Sequence, residues 1–254
     1  RLVMVSTLNL NDMSGVVRVV RNALTVTFGV EGVCAVILTG RFIPEYGFWG
    51  GLWRGIFTSV SAMCNAGFDL FGPEGGGSLM RYQGDPLVLL VIMFLIVFGG
   101  LGFFVWSDLI RAKKWSDLGL YSRLVLCMTA FLILAGTVYF FCVEYSNPET
   151  LAPLPLTSLF QSVTLRTAGF YSISQAGLSE SSQAVCCLLM LIGGSSGSTA
   201  GGLKTVTVAV LLLALRAGLR GRAEVTFRRR AIPDGRVLNA LTLTLVVLIL
   251  FIGR

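Results

Sequence analysis

Apolar residues along the chain fall into long runs separated by polar connections, and these runs have the length of membrane spans. The predicted spans are 19–40, 87–107, 124–143, 183–192 joined to 203–215, and 237–252. Each run is near the roughly 20 residues that an α-helix needs to cross about 30 Å of hydrocarbon. The fourth run is interrupted and the fifth stops with the chain. We therefore interpret the sequence as part of a longer, all-α integral membrane protein.

Two shorter segments between the spans form an internal repeat. The first, GIFTSVSAMCNAGF, covers 55–68, and the second, TSLFQSVTLRTAGF, covers 157–170. Both contain Phe-x-Ser-Val followed by Ser or Thr, and both end in Ala-Gly-Phe, with one more residue between these features in the first. The repeated unit is a span, a short helix, an Ala-Gly-Phe turn and a second span. A short helix of about 10–13 residues cannot cross a bilayer, which indicates re-entrant segments.

The glycine of each Ala-Gly-Phe turn indicates what the re-entrant segments could do. Gly67 and Gly169 tolerate positive φ, which lets successive backbone carbonyls point the same way. Rings of carbonyl oxygens replace the hydration shell of a cation, and the negative ends of the short helices would favour positive charge there. The pattern predicts a backbone-carbonyl selectivity filter for a monovalent cation.

A Gly- and Ser-rich stretch interrupts the fourth span at 193–202, with the sequence GGSSGSTAGG. Such a run is a poor helix, and non-helical backbone at membrane depth must line a cavity or be buried in protein. Its place next to a filter predicts a gate, and a packing kink between helices is the plainer alternative. A phosphate-binding loop does not fit, because Leu203 separates Gly202 from Lys204. Lys204 would either cap the loop or sense the ion.

Charge is sparse and unevenly placed along the chain. Charged residues make up 13% of the sequence and hydrophobic residues 54%, with a net charge of +7, whereas soluble domains carry about 25% charge. Basic residues crowd the connections 111–123 and 216–236, and the opposite connections are acidic, so the positive-inside rule makes the basic connections cytoplasmic. Basic segments next to a membrane are expected to meet anionic lipid or a partner rather than nucleic acid.

Catalytic and metal chemistry have little support in the sequence. The chain has no His, its six cysteines form no CxxC pair, and no pair of carboxylates is placed for acid–base work. A zinc site is therefore not expected, and neither is an enzyme.

Three motifs resemble the membrane subunit of the Trk/Ktr/HKT superfamily of potassium transporters. NAGFDLFG at 65–72 is similar to the second filter of that family, and SVTLRTAGF at 162–170 is similar to the third. GGSSGSTAGGLKT at 193–205 is similar to its intramembrane gating loop. FGGLGFFVWSDL at 98–109 is closer to the Ktr branch than to the Trk branch.

The resemblance implies a potassium-channel-like fold of four repeated units around one pore, in a chain that pairs as a homodimer. The implied segments are an N-terminal cytoplasmic segment over 1–14, the second repeat over 15–115 with its filter at 64–68, the third repeat over 116–222 with its filter at 166–170, a basic cytoplasmic connection over 223–236, and the start of a further repeat over 237–254. The first and fourth filters are missing, as is an intramembrane Arg of the last repeat. These segments would not close a four-sided filter by themselves.

The resemblance also implies functional residues at matching positions. The filter residues, whose backbone oxygens would hold potassium, are Asn65, Ala66, Gly67, Phe68, Thr167, Ala168, Gly169 and Phe170. The residues of the gating loop are Gly193, Gly194, Ser195, Ser196, Gly197, Ser198, Thr199, Ala200, Gly201, Gly202 and Lys204. Arg166 is expected to brace the filter against an acidic group, because a buried Arg needs a partner. A ring of nucleotide-binding RCK-type subunits would be the cytoplasmic partner, and K⁺ or Na⁺ would be the transported ion rather than a cofactor.

The leading hypothesis is a multi-pass potassium permease of the plasma (inner) membrane. The choice between K⁺ and Na⁺, and any Na⁺-coupled symport, stay open because half of the filter is missing. The alternative is a proton-coupled secondary transporter with broken helices. That class places an ionisable residue at mid-membrane, and Glu31 is the candidate within a span.

Overall fold

A computed structural model describes residues 13–72, 77–145, 147, 155–221, 226–227, 230–231 and 234–252. The helices of this part are α1 (Met13–Met63), α2 (Pro86–Leu101), α3 (Phe103–Arg111), α4 (Leu120–Val143), α5 (Pro155–Thr164), α6 (Glu180–Leu191), α7 (Thr205–Leu219) and α8 (Asp234–Ile252). Two 3-10 turns lie at Met80–Tyr82 and Trp115–Asp117. The predicted all-α class is confirmed; the exception is a two-residue antiparallel pair, β1 (Thr226–Phe227) with β2 (Arg230–Ala231). Most of the predicted segment 1–14 and much of the basic connection 223–236 lie outside the described residues.

Helix length and hydropathy agree with a membrane protein. Val20–Met63 and Leu120–Val143 are each long and apolar enough to cross a bilayer, and α2 with α3 qualifies as one bent pair. The predicted span 124–143 lies inside α4. The predicted halves 183–192 and 203–215 of the fourth span correspond to α6 and α7, two separate shorter helices.

The helix α1 folds back on itself at Gly47. This glycine has φ 69° and ψ 175°, which breaks the helix into an arm before it and an arm after it. A Cβ atom on Gly51 would lie 2.6 Å from the backbone nitrogen of Ile43, and one on Gly55 would collide with Thr39. Small residues four apart therefore let the two arms touch backbone to backbone, as in other membrane helix pairs. The predicted span 19–40 is the middle of the first arm, and the second arm is longer than the predicted short helix.

Charged and polar side chains tie the Gly47 turn to the start of α2. Arg41 donates from Nε to Asp85 Oδ2 at 2.5 Å and from Nη1 to Glu45 Oε1 at 2.7 Å. The Tyr82 hydroxyl donates to Glu45 Oε2 at 2.8 Å. Asp85 also caps the N-terminus of α2 by accepting from backbone N–H groups of its first turn. The turn of α1 is thereby held against the helix that follows.

The prediction of one continuous span over 87–107 is wrong. The helix ends at Leu101, and α3 leaves at 95° to α2. Gly102 makes the break with φ 79° and ψ 160°, a region open essentially to glycine alone. A Cβ atom there would lie 2.7 Å from the carbonyl oxygen of Gly197. The bend therefore makes room for the loop between α6 and α7.

The helix α2 lies at the centre of the core. Val88, Leu89, Ile92 and Leu95 are fully buried against α1 on one side and α5 on the other. The short helix α5 is itself almost completely enclosed, although it carries polar residues along its length. This enclosure places the C-terminal end of α5 inside the bundle.

The outer faces of the bundle are strongly apolar. Val36 is 73% exposed, Trp49 78% and Leu134 63%, and each lies on a helix long enough to span a membrane. Contiguous apolar surface of this kind is costly in water and costs nothing in hydrocarbon. The exposed faces therefore suit contact with lipid.

Candidate functional site

The two Ala-Gly-Phe turns adopt the same unusual backbone. Gly67 has φ 73° and Gly169 has φ 88°, as the sequence predicted for both glycines. Two positions earlier, Asn65 and Thr167 also have positive φ, at 51° and 65°. Left-handed backbone is uncommon for Asn and rarer for a β-branched Thr, so its occurrence at matching positions marks a shared turn. The internal repeat is thus present in the backbone as well as in the sequence.

The extra residue of the first repeat is accommodated by a wider hydrogen-bonded turn at the end of α1. The N–H of Ala66 bonds to the carbonyl of Ser61, five residues back, whereas the N–H of Ala168 bonds to Thr164, four residues back. Ser61 and Thr164 also make matching side-chain bonds. The Ser61 hydroxyl donates to the Phe68 carbonyl, and the Thr164 hydroxyl donates to the Phe170 carbonyl. The wider turn compensates for the offset, so both turns end in the same bonded arrangement.

A matching pair of serines anchors the helices that lead into the turns. The Ser59 hydroxyl donates to the carbonyl of Glu31 at 2.8 Å, and the Ser162 hydroxyl donates to the carbonyl of Ile133 at 2.8 Å. The first bond joins the two arms of α1, and the second joins α5 to α4. The two repeats therefore share their supporting contacts as well as their turns.

The two turns touch each other directly. A Cβ atom on Gly67 would lie 2.5 Å from the carbonyl oxygen of Ala168 and 2.7 Å from Cα of Gly169. The flanking aromatic rings differ, because Phe170 is buried and Phe68 is 69% exposed. The predicted filter residues of both repeats thus meet at one place, with unequal surroundings.

The loop between α6 and α7 is closed at its neck. Ile192 and Leu203 form an isolated parallel bridge, in which Gly193 donates to the Leu203 carbonyl at 3.0 Å and Leu203 donates to the Leu191 carbonyl at 2.9 Å. Lys204 Nζ donates to the Ala200 carbonyl at 2.9 Å, so Lys204 caps the loop from within. The interruption predicted at 193–202 is a compact loop with its own hydrogen bonds.

Backbone atoms of this loop pair with the region where α2 bends. Ser195 donates its N–H to the Gly100 carbonyl at 3.0 Å, and Phe103 donates its N–H to the Gly197 carbonyl at 3.2 Å. The Tyr121 hydroxyl of α4 donates to the Ser196 carbonyl at 3.0 Å. Polar backbone groups that would be unsatisfied in hydrocarbon are therefore bonded within the protein.

The same loop is bonded to both turns. The Thr199 hydroxyl donates to the Met63 carbonyl at 2.9 Å and accepts from the Asn65 amide at 2.8 Å. On the other side, the Gly201 N–H donates to the Thr167 hydroxyl at 3.0 Å. The loop therefore lies across the ends of both turns, in contact with residues of each.

Arg166 does not have the acidic partner that the sequence predicted. Its side chain is buried, and Nε and Nη2 have no hydrogen-bond partner among the residues that the structure describes. Three described carboxylates have other partners: Glu45 and Asp85 bind Arg41, and Asp108 accepts from the Ser122 hydroxyl. The prediction of a bracing acid is therefore wrong for this part of the chain.

Glu144 is a buried carboxylate outside the spans, at the point where α4 ends. It accepts from the Ser179 backbone N–H at 3.2 Å, the Ser179 hydroxyl at 2.6 Å and the Asn147 amide at 2.6 Å. Burial opposes its ionisation, but these hydrogen bonds outweigh burial and hold the pKa of Glu144 below its ordinary value. The carboxylate thereby joins the end of α4 to the N-terminus of α6.

Several site residues could not be identified from the sequence. The contact of Thr199 with Asn65 joins residues 134 positions apart, and a sequence pattern carries no sign of such pairing. Gly102 lies close in sequence to Gly99 and Gly100, and the sequence does not show which of these three glycines ends α2. Gly51 and Gly55 had a detectable signal, the four-residue spacing of small residues in a membrane helix.

Apolar helices broken by glycines, with two turns and a polar loop meeting inside the bundle, are features of an integral membrane protein. The chain belongs to the TrkH family of cation transport proteins, whose family model matches residues 6–253. This membership agrees with the resemblance found in the sequence, and it places the chain among transporters rather than enzymes.

Known relatives cover nearly all of the chain. It is 40% identical over 253 residues to the potassium/sodium uptake protein NtpJ of Enterococcus hirae, covering 98% of this chain and 55% of that protein. It is 38% identical over 259 residues to the Ktr system potassium uptake protein B of Bacillus subtilis, covering 100% of this chain and 57% of that protein. The chain therefore spans a little more than half the length of these relatives.

A solved structure has the same fold. The potassium transporter TrkH from Vibrio parahaemolyticus superimposes with a TM-score of 0.72 over 94% of this chain and 50% of that chain. Sequence identity is 18%, so this likeness concerns the fold alone.

Proposed function

We propose that this chain forms part of the ion pathway of a potassium transporter in the plasma (inner) membrane. One observation carries the proposal: the positive-φ turns at Gly67 and Gly169 meet each other beneath enclosed helices, with a bonded polar loop across them. Backbone oxygens of the turns are the groups that replace the water around a cation. The names of the two relatives, one for potassium/sodium uptake and one for potassium uptake, agree with a monovalent cation.

In this proposal the filter residues act mainly through their backbone. They are Asn65, Ala66, Gly67, Phe68, Thr167, Ala168, Gly169 and Phe170. The second arm of α1 and the helix α5 end just before the turns, so their negative ends lie next to the ion. The two turns are in direct contact with each other, and we propose that two further repeats complete an opening for the ion.

The loop 193–202, capped by Lys204, acts as the gate in the same proposal. Two hydrogen bonds through Thr199 hold it to the first turn and one through Gly201 holds it to the second, and each bond has a net worth of about 1 kcal/mol. Such contacts are weak enough to break and re-form during transport. A homodimer and a cytoplasmic ring of RCK-type subunits complete the proposed assembly, and a regulatory ring would act on the gate from the basic side.

Rb⁺ uptake by the intact transporter in liposomes tests the filter, with Na⁺ as competitor. Gly67→Ala should remove uptake or Rb⁺/Na⁺ selectivity, because the new Cβ atom would meet Ala168 and the positive φ would be strained. Gly218→Ala is the matched control, since Gly218 has nothing within 4 Å of such an atom. Normal selectivity and flux in a folded Gly67→Ala protein would contradict the filter role.

The alternative of proton coupling rests on Glu31. This residue is buried within α1, and its carboxylate has no ion pair with a described residue. A buried unpaired acid at membrane depth is a candidate proton carrier. Uptake that requires both Glu31 and a proton gradient would favour this alternative.

A further inference from the structure

A crevice of about 120 Å³ separates the beginning of α1 from α3. Asn22 and Val26 line it from α1, and Phe103, Trp106 and Arg111 line it from α3. Phe103 also donates its backbone N–H to the Gly197 carbonyl of the loop, whereas no residue of the two turns lines the crevice. The crevice therefore borders the loop but lies apart from the two turns.

The bend at Gly102 places the crevice at a membrane boundary. With α2 crossing the bilayer, a helix that leaves at 95° runs close to the plane of the membrane. The helix α3 has Trp106 on one side and ends in Arg111, the residue types that lie at the boundary between hydrocarbon and headgroups. The basic connection 111–123 then begins on this side of the bilayer.

One end of the crevice has an apolar, rigid wall. The Trp106 ring stacks on Phe98 with centroids 4.5 Å apart, and its Nε1 donates to the Phe98 carbonyl at 2.8 Å. Val26 and Phe103 continue this surface. A cavity of about 150 Å³ in another protein holds a benzene molecule, so this crevice suits a short length of hydrocarbon chain.

The crevice also has basic residues at its side. Arg111 is one of its lining residues, and Arg21 is the exposed chain neighbour of the lining residue Asn22. Neither guanidinium makes an ion pair with a described residue. Asp108, the acid on α3, is turned toward α4, where its Oδ2 accepts from the Gly119 N–H at 3.0 Å and the Ser122 hydroxyl at 2.6 Å. No carboxylate of α3 therefore offsets this positive charge.

We propose that this crevice binds an anionic phospholipid. Arg111 and Arg21 contact the phosphate, Asn22 supplies a neutral hydrogen bond, and the upper part of an acyl chain lies against Trp106 and Val26. A basic pocket between membrane helices is suited to such headgroups, and the apolar end requires the lipid rather than a free phosphate. The proposal depends on the membrane location of the protein and not on the ion that it transports.

Lipid retention measured by native mass spectrometry tests the proposal. The intact protein in detergent is mixed with dioleoyl phosphatidylglycerol or dioleoyl phosphatidylcholine, and in a third arm with glycerol 3-phosphate. We expect the wild type to retain phosphatidylglycerol in preference to phosphatidylcholine and not to retain glycerol 3-phosphate. The double variant Arg21→Gln/Arg111→Gln should lose roughly tenfold or more of that preference, since a basic group near a lipid surface contributes about 1 kcal/mol.

Two further variants separate charge from shape. Arg216→Gln removes a positive charge from the exposed end of α7, away from the crevice, and should retain phosphatidylglycerol as the wild type does. Ala23→Phe fills the crevice without changing charge and should lower retention. Equal retention of both lipids by the wild type would overturn the proposal. Unchanged phosphatidylglycerol retention in the folded double variant would also overturn it. The same holds if the double variant keeps the lipid and loses a bound protein subunit, because the two arginines would then bind protein and not lipid.

Discussion

The side-chain amide of Asn65 donates a hydrogen bond to the Thr199 hydroxyl at 2.8 Å, and the Thr199 hydroxyl donates to the Met63 carbonyl at 2.9 Å. This chain of two bonds joins the first turn to the loop between α6 and α7. It gives the proposed gate a direct contact with the proposed filter.

Thr199→Val should loosen the gate, because valine keeps the shape and removes the hydroxyl. Two hydrogen bonds of about 1 kcal/mol each are lost, so the balance between closed and open loop should shift by a factor of about 5–30. We expect higher basal Rb⁺ flux in liposomes that lack any regulatory subunit. Ser196→Ala in the same loop is the control, since Ser196 is exposed and its side chain has no hydrogen bond to a described residue. Flux equal to wild type in a well-folded Thr199→Val protein would argue against this gate.

Gly55→Ala should destabilise the hairpin of α1. The new methyl group would collide with Thr39, and the arms would have to separate at a cost of about 1–3 kcal/mol. Thermal unfolding of the detergent-purified protein measures the loss. Gly40→Ala lies in the same helix with nothing within 4 Å and should leave the midpoint nearly unchanged. Similar midpoints for the two variants would show that the arms do not depend on this close approach.

Glu144 should make stability depend on pH in the acid range. Its pKa is lowered in the folded protein, so its hydrogen-bonded carboxylate stabilises the fold above the unfolded pKa, near 4.5. That contribution is lost as the pH falls through the folded pKa. We expect Glu144→Gln to unfold at a lower temperature than wild type at neutral pH, with the gap closing toward pH 3.5, roughly one pH unit below the ordinary value of a Glu carboxyl.

The matched control for that experiment is Glu180→Gln. Glu180 lies in the first turn of α6 but takes no part in the bonds to Ser179 and Asn147. The role given to Glu144 would be contradicted if the difference in unfolding temperature between Glu144→Gln and wild type stayed constant with pH. It would also be contradicted if Glu180→Gln showed the same pH-dependent difference.

Glu31→Gln separates the two transport hypotheses. If the turns form a carbonyl filter, Rb⁺ uptake should persist in this variant and should not need a proton gradient. Cys34→Ala, a buried neighbour in α1, controls for altered packing. Uptake that stops in Glu31→Gln alone, and that a protonophore also stops in wild type, would favour proton coupling instead.

Much of the architecture was predictable because membrane spans have a strong signal. Length and hydropathy alone placed α4, and the repeated Ala-Gly-Phe placed both turns with their positive-φ glycines. The gap between α6 and α7 followed from the poor helix propensity of the Gly- and Ser-rich run.

The misplaced features all depend on contacts between distant segments. The span 87–107 is apolar throughout, and only the Gly197 carbonyl lying against Gly102 explains why the helix breaks there. Arg166 was expected to pair with an acid because buried charge is costly, yet no acid among the described residues forms an ion pair with it. Hydropathy records which residues avoid water, but it does not record which backbone atoms compete for the same space.

The bridge between Ile192 and Leu203 has a mechanical consequence. Because Ile192 and Leu203 are paired, the two ends of the loop cannot move apart without breaking this bridge. If the loop opens as proposed, it can swing away from the turns while α6 and α7 keep their spacing. The lipid around those helices would then need no rearrangement with each passage, and opening would break the hydrogen bonds that join the loop to the turns, to the bend of α2 and to Tyr121.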